Sequence, residues 1–206
     1  VGVLVYFFAY QPRFQVMDGD GMERETPTDR LESLYWSRSA STMDGYDPPI
    51  PEMKLINGSI ATLDGYYFNK VDAFDCASGT SFGWSSGTAP ALGSAGAYKA
   101  TLKKVTGCPS VLSDTVLTIS ESYVARGGDL AQGAVLTSDT NTLTFGSGCT
   151  IKIDDINANA WTKGTPVTIA TAKSIAGEPT IDPSQAGLFT LTKTATELKV
   201  TPNFTV

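Results

Sequence analysis

The chain has 206 residues, of which 41% are hydrophobic and 17% charged, with a net charge of −6 at neutral pH. That apolar content is enough for a real core, while the acidic balance and the missing basic cluster exclude nucleic-acid binding and fit poorly with an anionic membrane surface. Histidine is absent, which removes the commonest general base and with it Ser-His-Asp and Cys-His catalysis.

The first ten residues, Val1 to Tyr10 (VGVLVYFFAY), form an apolar run. It is too short to span a bilayer as a helix. Without an initiator Met or a basic segment before it, it gives the chain the look of a fragment or processed product. Its Val, Tyr and Phe content predicts a buried strand. Val3, Val5, Phe7 and Phe8 are the candidates for an inter-subunit strand that completes a neighbour's sheet; completing the chain's own core is the equal alternative.

Residues 1–54 form a first segment, in which the apolar run gives way to an acidic, loop-rich stretch. A short helix is predicted from about Pro27 to Trp36, with Asp29 and Glu32 at capping-box spacing and Leu31, Leu34 and Tyr35 on one face. Asp18-Gly19-Asp20-Gly21 opens like a calcium loop. Met22 occupies a ligand position and no Glu closes the loop, so a solvated acidic turn is the reading. Pro48-Pro49-Ile50-Pro51 predicts an extended linker.

Residues 55–206 form a β-rich domain. Its first part reads as short strands at Leu55-Ile56, Ser59–Leu63, Tyr66–Phe74, Tyr98–Val105 and Val111–Ile119. A Gly/Ser-rich loop is predicted from Ser78 to Gly96. Within it Gly83-Trp84-Ser85-Ser86-Gly87 matches the nucleophile-elbow pattern in form only, because the elbow needs a strand, a helix and a His partner. From residue 121 apolar residues alternate with Thr and Lys, as in Thr142–Phe145, Cys149–Ile153, Pro166–Ile169, Phe189–Thr192 and Leu198–Thr201. Alternation predicts one buried and one wet face, with Leu143, Phe145, Ile151, Ile153, Val167, Ile169, Leu191, Leu198 and Val200 inside. The fold class is therefore mostly β. A β-solenoid (β-helix) is favoured, because a strand-turn-strand texture recurs without a fixed period. A β-sandwich is the runner-up.

The stretches Leu143-Thr144-Phe145-Gly146-Ser147-Gly148, Ile151-Lys152-Ile153-Asp154, Val167 to Gly177 and Glu197-Leu198-Lys199-Val200-Thr201 resemble the C-terminal part of secreted bacterial proteins with autotransporter-associated β-strand repeats. The resemblance lies mainly over residues 130–206, and Leu55 to Gly65 looks like one further repeat. It implies a right-handed β-helix passenger, displayed on a cell surface for adhesion. It transfers no catalytic residue.

Cys76, Cys108 and Cys149 form no C-x-x-C pair, so structural zinc and thioredoxin-like chemistry are poorly supported. Gly107-Cys108-Pro109 and Gly148-Cys149-Thr150 share a local setting, making Cys108 and Cys149 the disulfide candidate, with three buried free thiols as the open alternative. The carboxylate pairs Asp72/Asp75 and Asp154/Asp155 single out no glycosidase set. No catalytic residue, cofactor or metal ligand set is assigned. Arg126-Gly127-Gly128-Asp129 reads as a Gly-rich turn. Asn57-Gly58-Ser59 and Asn203-Phe204-Thr205 are glycosylation sequons.

The function expected is that of an extracellular or cell-surface structural or adhesive protein. In its sharper form it is a homo-oligomer or filament subunit built through the N-terminal strand. The alternative is a carbohydrate-binding module or β-helical polysaccharide-active enzyme, with Trp36, Trp84, Trp161 and Tyr66-Tyr67 stacking on surface glycans. A phage or virus surface protein shares the composition.

Overall fold

The computed structural model describes residues 51–56, 58–62, 71–84 and 97–206, and the backbone of 13–17, 23–25 and 63. The apolar run, the helix predicted over 27–36 and the Asp18–Gly21 turn lie outside the described residues. So do Asn57, Tyr66-Tyr67 and most of the Gly/Ser-rich loop.

The described chain is mostly β, a large mixed sheet. Its strands are β1 (Arg13–Met17), β2 (Glu23–Glu25), β3 (Met53–Ile56), β4 (Ile60–Leu63), β5 (Ala73–Cys76), β6 (Ser81–Trp84), β7 (Tyr98–Thr106) and β8 (Ser110–Val111). They continue with β9 (Thr115–Arg126), β10 (Leu136–Phe145), β11 (Thr150–Asp154), β12 (Val167–Ala176), β13 (Thr180–Ile181), β14 (Phe189–Lys193) and β15 (Glu197–Pro202). One five-residue helix, α1 (Gly127–Ala131), and two 3-10 turns interrupt them after residue 97.

The long path of the sheet runs β14-β15-β12-β10-β9-β7-β5-β3-β1-β2. From β3 to β12 every pairing on it is parallel. Antiparallel pairing appears at the two ends, where β1 joins β3 and β2, and β15 joins β12 and β14. Beside this path run two more parallel ladders, β4-β6-β8-β10 and β9-β11-β13. Met53 pairs with Phe74 and Ile60 with Ser81, the same offset on two ladders. Later ladders advance by unequal steps, as the lack of a fixed repeat implied.

Parallel register stacks like on like. Met53, Phe74, Val105, Tyr123 and Ile151 follow one another across five strands, all buried. Ala100, Leu117, Leu143 and Ile175 form a second inner column, and Ala61, Phe82 and Val111 a third. Phe74 and Phe82 stack face to face at 4.4 Å. These columns merge into one core, the expected result of period-2 alternation repeated at each strand.

The corners between ladders need close backbone approach. Gly107 and Gly177 both have positive φ, and a Cβ on either would collide with a carbonyl of the strand beneath, Cys76 or Phe145. Only glycine satisfies both demands.

Several expectations change. Residue 54 falls inside β3, so the boundary drawn there cuts a strand, and β1 of the N-terminal segment pairs directly with that strand. β6 lies in the stretch read as a loop. Its Gly83 is buried and leaves room for the Leu112 side chain, a common reason for glycine in a strand. Val111–Ile119 is two strands, broken by a turn in which Thr115 N–H donates to Leu112 O. Of the nine predicted core residues after 121, seven are buried; Val167 and Leu191 are half-buried and pack against the core.

Candidate functional site

The outward faces carry the repeated chemistry. Alternation points Ser and Thr away from the core, and parallel register aligns them in ranks. Ser81, Ser110, Thr137 and Thr171 stand on neighbouring strands β6, β8, β10 and β12. Thr101, Thr118 and Thr144 form a second rank on β7, β9 and β10. Ser122, Thr150 and Thr180 form a third on β9, β11 and β13. All are exposed or half-exposed. Strand separation sets the spacing within a rank at about 4.8 Å. Some neighbours bond along or across ranks: Thr137 Oγ1 donates to Ser110 Oγ at 3.0 Å, and Thr142 and Ser174 share a hydroxyl bond of 2.6 Å.

A polar corner lies where β5, β7 and β9 end. Arg126 closes β9 and reaches over Gly107 to the Asp75 carboxylate and the Cys76 carbonyl. Gly107 makes this crossing possible, since a Cβ there would sit 2.9 Å from the guanidinium. Asp129, in α1, lies 3.9 Å from the same guanidinium. Burial pushes its carboxyl up; Arg126 pulls it down and Asp155 adds to the rise. Asp155 has φ 49° and begins a 3-10 turn, with its carbonyl packed against Gly127. Arg126-Gly127-Gly128-Asp129 is thus a latch and a helical turn, not an open glycine turn.

The carboxylate pairs do not converge. Asp72 bonds Lys103 at 3.0 Å while Asp75 bonds Arg126, and Asp154 bonds Lys152 at 3.2 Å. Among the described residues no group of three or more Cys, Asp or Glu is placed to hold a metal ion. No described helix is long and apolar enough to cross a membrane.

All three cysteines are free, buried thiols, so the pairing expected of Cys108 and Cys149 is not present. Tyr123 separates them. Cys108 Sγ lies 3.8 Å from the Tyr123 hydroxyl, whereas the Cys149 thiol sits by the Tyr123 backbone N–H. The bond would need the sulfurs within about 2.05 Å. Burial pushes the Cys108 and Cys149 thiols up to about 11 and raises Cys76 further. None is a ready nucleophile.

The aromatic candidates divide. Trp161 is buried, its Nε1–H donating to Ile156 O at 2.6 Å, so it is unavailable for stacking on a sugar. It packs edge-on against Phe189 at 5.2 Å. Trp84 is half-buried and stacks on Tyr98, with centroids 6.1 Å apart and rings 16° from parallel. Ser85 to Gly87 of the nucleophile-like motif, Trp36 and the strand candidates Val3, Val5, Phe7 and Phe8 lie outside the described residues.

Residue-by-residue reading missed Gln185. It is buried in the turn after β13, and its side-chain amide bonds both backbone groups of Ile153. Nothing around Pro183-Ser184-Gln185 signals this in sequence. In comparison with known proteins, the chain matches no protein-family model, no curated protein and no solved structure.

Proposed function

We propose that the chain is a β-solenoid structural or adhesive protein of the cell surface or extracellular space, acting through its outward hydroxyl ranks and not by catalysis. The observation that carries this reading is the in-register alignment of Ser and Thr on successive parallel strands. Such a face offers a partner repeated donors and acceptors at fixed spacing, on a core rigid enough to hold them. Stacked parallel ladders with unequal offsets support the solenoid over the sandwich, whose two sheets are mainly antiparallel. The low charge and Ser/Thr/Gly-rich composition support the location.

The test is retention of the protein on insoluble cell-wall polysaccharide. The unchanged chain is retained, and Thr118→Lys with Thr144→Lys, both outward, abolishes retention without lowering the melting temperature. Equal retention of the variant refutes the assignment to this rank. Electron microscopy of purified protein tests the filament form of the proposal, in which Val3, Val5, Phe7 and Phe8 enter a neighbouring subunit; discrete particles at all concentrations refute it.

The carbohydrate-binding module is the second reading, supported by the near-parallel Trp84–Tyr98 pair. It requires soluble oligosaccharides to shift Trp fluorescence, with the shift lost in Trp84→Ala.

A further inference from the structure

The sequence holds two N-glycosylation sequons, and the fold treats them differently. The signal is an Asn acceptor with a Ser or Thr hydroxyl two residues on, and the transferase must reach both. In Asn57-Gly58-Ser59 the second group is withdrawn. Ser59 is buried, its hydroxyl donates to Ile56 O, and its carbonyl accepts from Ser81 N–H at 2.9 Å.

Asn203-Phe204-Thr205, just after β15, is presented the opposite way. Asn203 and Thr205 are exposed, while Phe204 between them is half-buried. Phe204 is held inward by Phe189 at 5.3 Å and Trp161 at 6.4 Å. The backbone is tied on both sides of it, Asn203 N–H to Leu188 O at 2.8 Å and Val206 N–H to Trp161 O at 3.0 Å. One inward anchor thus leaves both recognition groups on the surface. The Thr205 hydroxyl oxygen accepts from Lys163 N–H at 3.2 Å, which leaves its hydrogen to donate.

The surroundings suit a sugar as well. Asn203 Nδ2 donates to Gly187 O at 3.3 Å. Glycosylation replaces one of the two Nδ2 hydrogens, so the other can keep that bond. Gly187 lies on one side of the segment, and Gly164, whose N–H bonds Pro202 O at 2.9 Å, on the other. A Cβ on either glycine would meet nothing within 4 Å, so there is room for a bulky group. Of the three exposed large hydrophobic side chains among the described residues, two, Leu188 and Val206, flank this sequon. A sugar laid over them removes apolar area from water.

We propose that Asn203 is an N-glycosylation acceptor of the folded protein and that Asn57 is not. The donor is a polyprenyl-diphosphate-linked oligosaccharide. Nδ2 bonds to C1 of the first sugar, the bond from C1 to the phosphate oxygen breaks, the lipid diphosphate leaves, and Nδ2 gives up one proton to a base. The proposal rests on the extracellular reading above only for delivery of the chain to the transferase.

The test uses the purified full chain, incubated with an oligosaccharyltransferase and that donor beside a short acceptor peptide as control. Trypsin then separates residues 200–206, which hold Asn203, from residues 55–70, which hold Asn57. Mass spectrometry should find one oligosaccharide on 200–206 and none on 55–70, whereas both react when supplied as isolated peptides. Asn203→Gln and Thr205→Ala should each abolish the addition while keeping the melting temperature of the parent. An unmodified 200–206 in the folded chain, with the control peptide modified, overturns the proposal. Equal modification of 55–70 in the folded chain, or an isolated 55–70 peptide that does not react, overturns burial of Ser59 as the ground for choosing between the sequons. All of these readouts use purified protein, so they stand whether or not the extracellular reading holds.

Discussion

Gln185 offers the sharpest test of how the edge of β11 is closed. β13 pairs with β11 only at Thr150–Thr180 and Ile151–Ile181, after which Asp182 N–H donates to Ile151 O at 2.8 Å and the chain turns away. Ile153 would be left with a bare N–H and C=O. Gln185 supplies both partners, its Oε1 accepting from Ile153 N–H at 2.8 Å and its Nε2 donating to Ile153 O at 2.7 Å. The glutamine is 6% exposed and Ile153 1%, so water has poor access to either group. Gln185→Ala removes both bonds at once. Each buried backbone group left without a partner costs about 1–3 kcal/mol, so the variant should lose about 2–6 kcal/mol, toward the lower end if a water enters the space vacated.

Urea unfolding of the two proteins measures the loss, and exchange at the Ile153 amide localises it. Gln185→Glu separates the donor from the acceptor. A carboxylate keeps the acceptor for Ile153 N–H but faces Ile153 O with a second negative oxygen, whereas the protonated acid restores a donor. The folded state therefore favours the protonated acid, and its pKa should be raised above the unfolded value of about 4.3. Its stabilising contribution is present below pH 4.3 and disappears as pH rises through the folded value. Gln185→Glu should thus approach the unchanged protein in acid and fall toward Gln185→Ala above neutrality. A Gln185→Ala protein within 0.5 kcal/mol of the parent, or unchanged exchange at Ile153, would refute the reasoning.

Tyr123→Phe removes the hydroxyl that donates to Ile169 O at 2.9 Å inside the core, and should cost about 1–2 kcal/mol in urea unfolding. Gly177→Ala should be far worse than Gly148→Ala. Both have positive φ, but a Cβ at 177 collides with the Phe145 carbonyl while one at 148 meets nothing within 4 Å, so about 1 kcal/mol is expected at 148 and about 3 or more at 177 by thermal melts. Cys108 and Cys149, pushed up to about 11 by burial, should resist a thiol reagent at pH 8 in native protein and react at once in denaturant. Asp129→Asn should raise the melting temperature at pH 7. Burial raises the Asp129 carboxyl in the folded state, so ionisation favours unfolding as pH rises through that value, and the gain should vanish in acid below pH 3.8.

The C-terminal strands were legible because one face of each is buried, and burial at every second residue leaves a period of two in the sequence. Leu143/Phe145 and Ile151/Ile153 follow it closely. Whether such strands pair parallel or antiparallel leaves no comparable mark, since alternation is the same in both. β6 was hidden because Ser81 and Gly83 flank Phe82, and only the Leu112 and Thr115 side chains at the turn between β8 and β9 explain why a small residue is needed. Trp161 misled for a different reason. A tryptophan in a polar stretch reads as exposed, but its N–H finds a carbonyl five residues back, which removes the cost of burial. The Arg126 latch and Gln185 depend on residues more than thirty positions apart, where no local pattern reaches.

Intrinsic strand preference accounts for only part of the outward ranks. Thr101, Thr118 and Thr144 sit where a β-branched residue suits any half-buried strand, so their alignment alone could follow from propensity. Ser81 and Ser110 cannot be explained that way, because serine gains little from the strand conformation. They share a rank with Thr137 and Thr171, and Thr137 donates directly to Ser110 across the strand gap. In this rank hydroxyl chemistry is kept while side-chain shape is not. A face selected only to tolerate water would accept Lys, Glu or Asn at such positions, as it does at Lys99 and Lys173 on β7 and β12. Keeping short hydroxyls in register yields a low, even surface without long mobile side chains, which under the proposed adhesive role a rigid partner lying along the strand-stacking direction would meet at little entropic cost.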